Sequence, residues 1–161
     1  MWNAINSTLA AGALVEAAAA SNLIAQARAE PASDGIVTVT SGYPVAETVA
    51  RIKQDVAAKG IMFFGVIDQA GLGNAAGNHV LPSQLVMFGN PALGTTFITA
   101  NQKAGLDWPV RVLVYENADG KVHVSYTDFD WIARRHGIEN RDKEFKMATE
   151  VIESVTASVM R

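Results

Sequence analysis

Two β-rich runs joined by a short polar turn constrain the fold of this chain more than any other feature. Residues 110–115 and 122–126 are rich in β-branched and aromatic side chains, and Asp119-Gly120 lies between them. Asp-Gly is among the strongest short-range signals for a β-hairpin. An apolar run, residues 85–88, precedes the hairpin and stops at a turn formed by residues 89–91. The sequence therefore predicts a strand, a structured connection and an antiparallel hairpin.

The chain before this region predicts a strand, a helix and a second strand. Residues 36–40 alternate β-branched side chains, which indicates a half-buried strand. From Val45 to Val56 apolar residues recur at spacings of four, three and four, so they form one stripe on a helix of about 16 residues. Lys59-Gly60 ends this helix, because glycine accepts the left-handed cap conformation. Residues 61–67 are almost continuously apolar, which predicts a strand covered on much of both faces.

The chain around and after the hairpin predicts three more helices. Residues 91–102 form a helix with Phe97 facing inward, and Asp128 is placed to cap a short helix over residues 129–136. The last segment, residues 139–161, carries its apolar side chains on one helical face. This order lacks the strict alternation of a doubly wound fold, so we expect an α+β fold with a mainly antiparallel sheet.

Length and composition exclude several classes of protein. With 161 residues the chain fits one domain, which we place at residues 35–138, between an N-terminal segment (1–34) and the C-terminal helix (139–161). The net charge of −3 and the lack of a basic stripe argue against a nucleic-acid partner. The chain contains no cysteine, which excludes disulfides and thiolate catalysis. Its three histidines fall in separate elements, so we expect neither a metal nor another cofactor.

The alanine-rich N-terminal segment allows two interpretations. Residues 27–29, Ala-Arg-Ala, precede a polar linker and resemble a secretory cleavage site, which predicts a periplasmic or secreted protein. However, no Lys or Arg precedes the apolar run, and Glu16 lies inside it. Residues 1–30 are therefore equally compatible with a retained helix that docks on a protein partner. This alternative also fits a cytoplasmic protein. Because Glu16 interrupts the candidate span, we do not expect a membrane anchor.

Several motifs resemble the domain-of-unknown-function family 302. They include Phe88-Gly89-Asn90-Pro91, Leu113-Val114-Tyr115-Glu116 and Arg135-His136-Gly137, in register between residues 35 and 138. The resemblance implies a β-α-β₄-α arrangement, like one half of the TATA-binding-protein fold, and it implies a homodimer and a secretory signal in many members. The family usually has Asp-His where this chain has Asp68-Gln69, and this departure argues against an acid–base role here.

The turn at Asn90 and Thr95 is the first candidate site. A strand that ends on a glycine-rich turn and a helix start presents free N–H groups, which attract carboxylates or phosphates. In the alternative interpretation, Asn90 and Thr95 satisfy only the backbone of their own turn. Trp108 lies in a polar connection, so we expect it to form a pocket wall or a dimer contact.

Asp68 and Asp107 are the second candidate site. Both stand near predicted strand ends, and two carboxylates in one cleft could share general acid–base work. In the alternative interpretation they brace loops.

Three functions are compatible with these residues. The first is a small, dimeric periplasmic binding or accessory module, without catalytic residues, whose small-anion or other small-molecule pocket lies near Asp68, Asn90, Thr95, Asp107 and Trp108. The second is a structural subunit that docks through residues 1–30. The third is an enzyme that acts on a small anionic substrate with Asp68 or Asp107 as base.

Overall fold

Five antiparallel strands form one open sheet in the computed structural model, which describes residues 34–160. The spatial order of the strands is β1-β5-β4-β3-β2. Their bounds are β1 Ile36–Thr40, β2 Met62–Asp68, β3 Ser83–Gly89, β4 Val110–Glu116 and β5 Val122–Thr127. The N-terminal segment and its two interpretations lie outside the described residues.

Helices occupy the connections between the strands and the C-terminal end. They are α1 Val45–Ala58, α2 Gln69–Ala75, α3 Pro91–Ala100, a 3₁₀ helix Gln102–Asp107, α4 Phe129–His136 and α5 Asp142–Ala157. The α+β class is confirmed, and the long helix α1 between β1 and the other four strands gives the expected β-α-β₄-α order.

The predicted hairpin forms the centre of the sheet. Asn117 Oδ1 accepts hydrogen bonds from the backbone N–H groups of Asp119 and Lys121, at 3.1 and 2.9 Å. Gly120 has a φ of +73°, which a side chain would strain. This turn sets the register in which Val112 faces Tyr126 across β4 and β5. Local turn chemistry therefore positions β5 beside the central strand β4.

The apolar stripe of α1 packs on the sheet as its spacing predicts. Ile52 and Val56 are fully buried, and Val45 and Val49 are nearly so. The helix ends at Ala58, and Gly60 follows it with a φ of +65°. The chain therefore turns sharply into β2.

Helix α5 belongs to the same hydrophobic core as the sheet. Phe145, Ile152 and Val155 are buried, and the Phe145 ring stacks on Phe97 of α3 with centroids 4.2 Å apart. The backbone also closes here, because Gly42 N–H donates to the Val159 carbonyl at 3.0 Å. The C-terminal helix is thus an integral layer of the fold.

Strand β2 is the element whose environment differs most from its prediction. Its apolar run predicts cover on both faces, yet Met62, Phe63, Phe64, Val66 and Ile67 are 36–51% exposed. The reason is its position, because β2 pairs with β3 alone and forms one edge of the sheet. The prediction of a doubly covered strand was wrong, since apolar composition does not distinguish a central strand from an edge strand.

Candidate functional site

The turn that begins α3 satisfies its own backbone groups. Asn90 Oδ1 accepts hydrogen bonds from the N–H groups of Ala92 and Leu93, at 2.9 and 3.4 Å. The Asn90 carbonyl accepts from the Gly94 N–H at 2.8 Å, and Pro91 has no N–H. The Thr95 hydroxyl donates to the Pro91 carbonyl at 2.7 Å. The N–H groups that an anion would need are therefore already paired.

Trp108 lies directly against the same turn. A Cβ on Gly94 would come within 1.8 Å of the Trp108 Nε1, and one on Gly89 within 2.9 Å. Both positions therefore need glycine, because any side chain would displace the indole. On its other side Trp108 makes an edge-to-face contact with Phe64, with ring centroids 5.5 Å apart.

Trp108 forms one wall of an apolar pocket of about 230 Å³ at this end of the sheet. The pocket lies between the ends of β3 and β4, helix α3 and the middle of α5. Its walls are almost entirely hydrocarbon, from Ile61, Phe88, Leu93, Phe97, Val110, Phe129, Met147, Val151 and Ile152. Its polar side chains are Lys59, Asn90 and Trp108. Asn90 and Trp108, two predicted site residues, thus meet at one pocket.

Asp107 is the centre of a separate buried ion cluster. Its carboxylate, with its side chain 4% exposed, lies 2.6 Å from His136 Nε2. The guanidinium groups of Arg111 and Arg135 each approach it at 3.2 Å. These partners come from β4 and α4, so the carboxylate joins the 3₁₀ helix to two other elements. Buried carboxylates need such partners, because an unpaired charge loses its hydration.

Asp68 lies at the opposite end of the sheet from Asp107. Its strand register pairs it with Gln84, which faces Val114 near the end of β4. Asp107 precedes the start of β4 at Val110, about 13 Å or more away along the strand. Asp68 is exposed and caps α2 through the Gly71 N–H at 3.0 Å. The structure therefore does not bring the two carboxylates into one cleft.

Two parts of this region escape prediction from the sequence. The Asp107–His136 pair joins residues 29 positions apart, and Arg135-His136 has the pattern of a helix end whose charges complement the dipole. Lys59, Met147 and Val151 line the pocket although their positions indicate only a helix end and a helix face. No local signal connects these segments, because their contacts arise from packing.

Neither a metal cluster nor a membrane span is found within residues 34–160. No group of three or more His, Asp or Glu side chains in this range is close enough to hold a metal ion. None of its helices combines the length and the apolar character that a bilayer crossing needs.

These features define an open-sheet α+β domain: a five-stranded antiparallel sheet, helices packed on it and a pocket at one end of the sheet. The chain belongs to the family described as "Domain of unknown function DUF302", whose family model matches residues 37–158. A solved structure, the "uncharacterized conserved protein DUF302 from Bacillus stearothermophilus", shares this fold with a TM-score of 0.63 and 16% identity. That match covers 78% of this chain and 95% of the other.

Longer proteins contain a similar segment. Over 104 residues the chain is 36% identical to proteins named "Fluoride-specific ion channel FluC 1" from Brucella suis and Brucella abortus. The match covers 65% of this chain and 41% and 38% of the relatives. The chain thus spans about two fifths of the length of the curated relatives it matches.

Proposed function

We propose that this protein is a non-catalytic accessory module that binds a small, largely apolar molecule in the pocket beside Trp108. The observation that carries the proposal is the pocket of about 230 Å³ with hydrocarbon walls and three polar side chains. Ligand sites in proteins combine apolar walls with a few placed polar groups. An apolar cavity of about 150 Å³ already holds benzene, so this pocket has room for a one- or two-ring molecule or a short alkyl chain.

The curated relatives support an accessory role. A segment like this one is part of longer chains whose names describe fluoride channels, so it occurs joined to other domains. An anion site formed by the N–H groups of the Asn90 turn has less support, because these groups are paired within the turn. The enzyme hypothesis also has less support, because Asp68 lies far from Asp107. We therefore propose no catalytic residue.

The test is calorimetry with indole, a neutral two-ring probe. We expect one indole to bind per chain. Val151→Phe fills part of the pocket and lowers the affinity at least about tenfold. Indole then loses its contacts with one wall, and we expect this loss to reduce the binding free energy by more than about 1.4 kcal/mol. Ile36→Phe, a comparable enlargement of an exposed side chain on the opposite edge strand β1, leaves the affinity unchanged. Equal indole affinity in the wild type and Val151→Phe would reject the pocket as the binding site.

We also propose that the module is a homodimer that buries β2. Five apolar side chains of this edge strand expose roughly 400 Å² in total, if a large apolar side chain has about 200 Å² of surface. Monomers rarely leave an apolar edge strand uncovered, since its free backbone groups pair with other chains. A second copy fits because the apolar stretch of β2, residues 62–67, carries no charge and is complementary to itself, while Asp68 stands at the end of the strand.

Sedimentation equilibrium tests this interface with a matched pair of variants. Val66→Lys on β2 puts a charge on the proposed interface, and we expect a monomer. Ile36→Lys makes a similar change on the opposite edge strand, at 38% exposure against 36% for Val66, and we expect it to remain dimeric. Dissociation by Ile36→Lys with a dimeric Val66→Lys would assign the interface to β1 instead.

A periplasmic or secreted location stays a prediction from residues 27–29, with docking through residues 1–30 as the alternative. Mass spectrometry of the protein from its native host distinguishes them. A mass that shows cleavage after Ala29 supports secretion. A mass that still includes Met1 contradicts cleavage and favours docking to a protein partner.

A further inference from the structure

The polar side chains that line the pocket offer hydrogen-bond donors and no free acceptor. Asn90 Oδ1 is occupied by two backbone N–H groups, which leaves its amide Nδ2 as donor. The Trp108 indole N–H has no hydrogen-bond acceptor among residues 34–160. Lys59, whose side chain ends in an ammonium group, is among the lining residues, and no Asp or Glu is. A ligand that satisfies these groups must bring the acceptor itself.

Lys59 is also the one cationic side chain among the residues that line the pocket. Its Nζ contacts both carboxylate oxygens of Asp55, one turn earlier in α1, at 2.5 Å. Such i,i+4 pairs on a helix contribute little to stability, and an ammonium has three donors. The ammonium can therefore share a second carboxylate at the pocket while the Asp55 contact persists.

We infer that the ligand is an amphipathic monocarboxylate, with its apolar body among the hydrocarbon walls and its carboxylate at Lys59. This inference rests on the proposed function, because it names the chemical class that the same pocket takes. A carboxylate is costly to bury unless a cation and hydrogen-bond donors receive it, and here these groups stand beside an apolar interior. Phosphate or sulfate without an apolar body would lack the contacts that the walls provide.

The experiment compares octanoate with 1-octanol by calorimetry at pH 7.5, where octanoate is ionised. The two probes share their alkyl chain and differ in the head group. We expect octanoate to bind roughly tenfold more tightly, because this ratio corresponds to the free energy of about one charge-assisted hydrogen bond. Lys59→Gln removes this difference, because it lowers the affinity for octanoate far more than the affinity for octanol. Lys53→Gln, within α1 and beside the Phe63 ring, leaves the affinities of both probes unchanged.

A second variant moves the affinity in the opposite direction. Asp55→Asn frees the Lys59 ammonium, so octanoate binds several-fold more tightly while octanol does not. Glu47→Gln, which affects only the ion pair with Arg51 on the same helix, is the control. Both pairs of variants leave the hydrocarbon walls of the pocket unchanged. A change in the ratio of octanoate affinity to octanol affinity therefore reports on the head group alone.

The outcomes separate this inference from the proposed function. If octanol and indole bind as tightly as octanoate and Lys59→Gln changes nothing, the pocket is real and the carboxylate class is wrong. If none of the three probes binds, both the pocket function and the inference fail. Weaker octanoate binding in Asp55→Asn would also overturn the role of Lys59.

Discussion

Asp107 shows how one buried charge can hold three elements together. His136, Arg111 and Arg135 surround its carboxylate, while both arginine side chains keep nearly half of their surface in water. The exposed arginines lose little hydration, whereas Asp107 and His136 are almost completely buried. The cluster therefore serves to position the 3₁₀ helix and, through it, Trp108, the next residue along the chain.

Replacing Asp107 by Asn is expected to lower the free energy of unfolding by about 3 kcal/mol. The amide cannot balance the charges of two guanidinium groups, and removal of one partner from a buried ion pair costs this much. Urea denaturation at pH 7 measures the effect. Asp119→Asn in the exposed hairpin turn is the control and should change stability by less than about 0.5 kcal/mol. Equal effects of the two substitutions would contradict the structural role of the cluster.

Gly94→Ala tests the contact between Trp108 and α3. In an ordinary helix this change stabilises by up to about 1 kcal/mol, but here the new Cβ would overlap the indole. We expect destabilisation of about 1–3 kcal/mol and a shift in tryptophan emission. Gly105→Ala, whose nearest neighbour is Ile98 Cδ1 at 3.8 Å, should be close to neutral. Stabilisation by Gly94→Ala would show that Trp108 does not pack on this helix.

At the scale of elements, caps and turns are determined by short stretches of sequence. Asn90 begins α3, Asp128 Oδ1 accepts from Trp131 N–H at 2.7 Å to begin α4, and Gly137 ends α4 with a φ of +58°. Each depends on residues no more than four positions away. The sequence therefore predicts these helix ends well, because the hydrogen bonds that form them join residues close together in the chain.

The cap at Asn90 gives a prediction for α3. Asn90→Ala should destabilise the protein by about 1 kcal/mol, since Ala92 and Leu93 lose the acceptor for their N–H groups. Asn90→Asp keeps an acceptor and should retain most of the stability. Thermal unfolding in buffers with and without phosphate checks both points. A phosphate-dependent stabilisation lost only in Asn90→Ala would instead support an anion site at this turn.

At the scale of the whole molecule, the hydrophobic core joins segments from both ends of the described chain. Val37 of β1, Ile52 of α1 and Ile152 of α5 belong to one buried cluster. The pocket also depends on this arrangement, because α5 supplies one of its walls. A domain that ended near residue 138 would lose the α5 part of this core and the α5 wall of the pocket.

Ile152→Ala tests whether α5 is part of the core. We expect a loss of about 2–5 kcal/mol, because this side chain is 1% exposed and its removal leaves a cavity. Met147→Ala on the same helix, at 53% exposure, should cost much less. Chemical denaturation measures both. A loss below about 1 kcal/mol for Ile152→Ala would indicate that α5 is an appendage that the domain does not need.

The sequence by itself determined the class of fold, the hairpin, the boundaries of α1 and the caps of α3 and α4. These features depend on periodicity and on turn chemistry within a few residues. It also indicated Asn90 and Trp108 as site residues, since both lie at a strand end or in a connection.

Only the tertiary structure decided the rest. Strand order placed β2 at an exposed edge and separated Asp68 from Asp107, whereas packing brought His136 to Asp107 and Lys59 to the pocket. The physical reason is that these contacts join residues far apart in the chain. Their energy depends on burial and geometry, which a residue acquires only when the elements assemble.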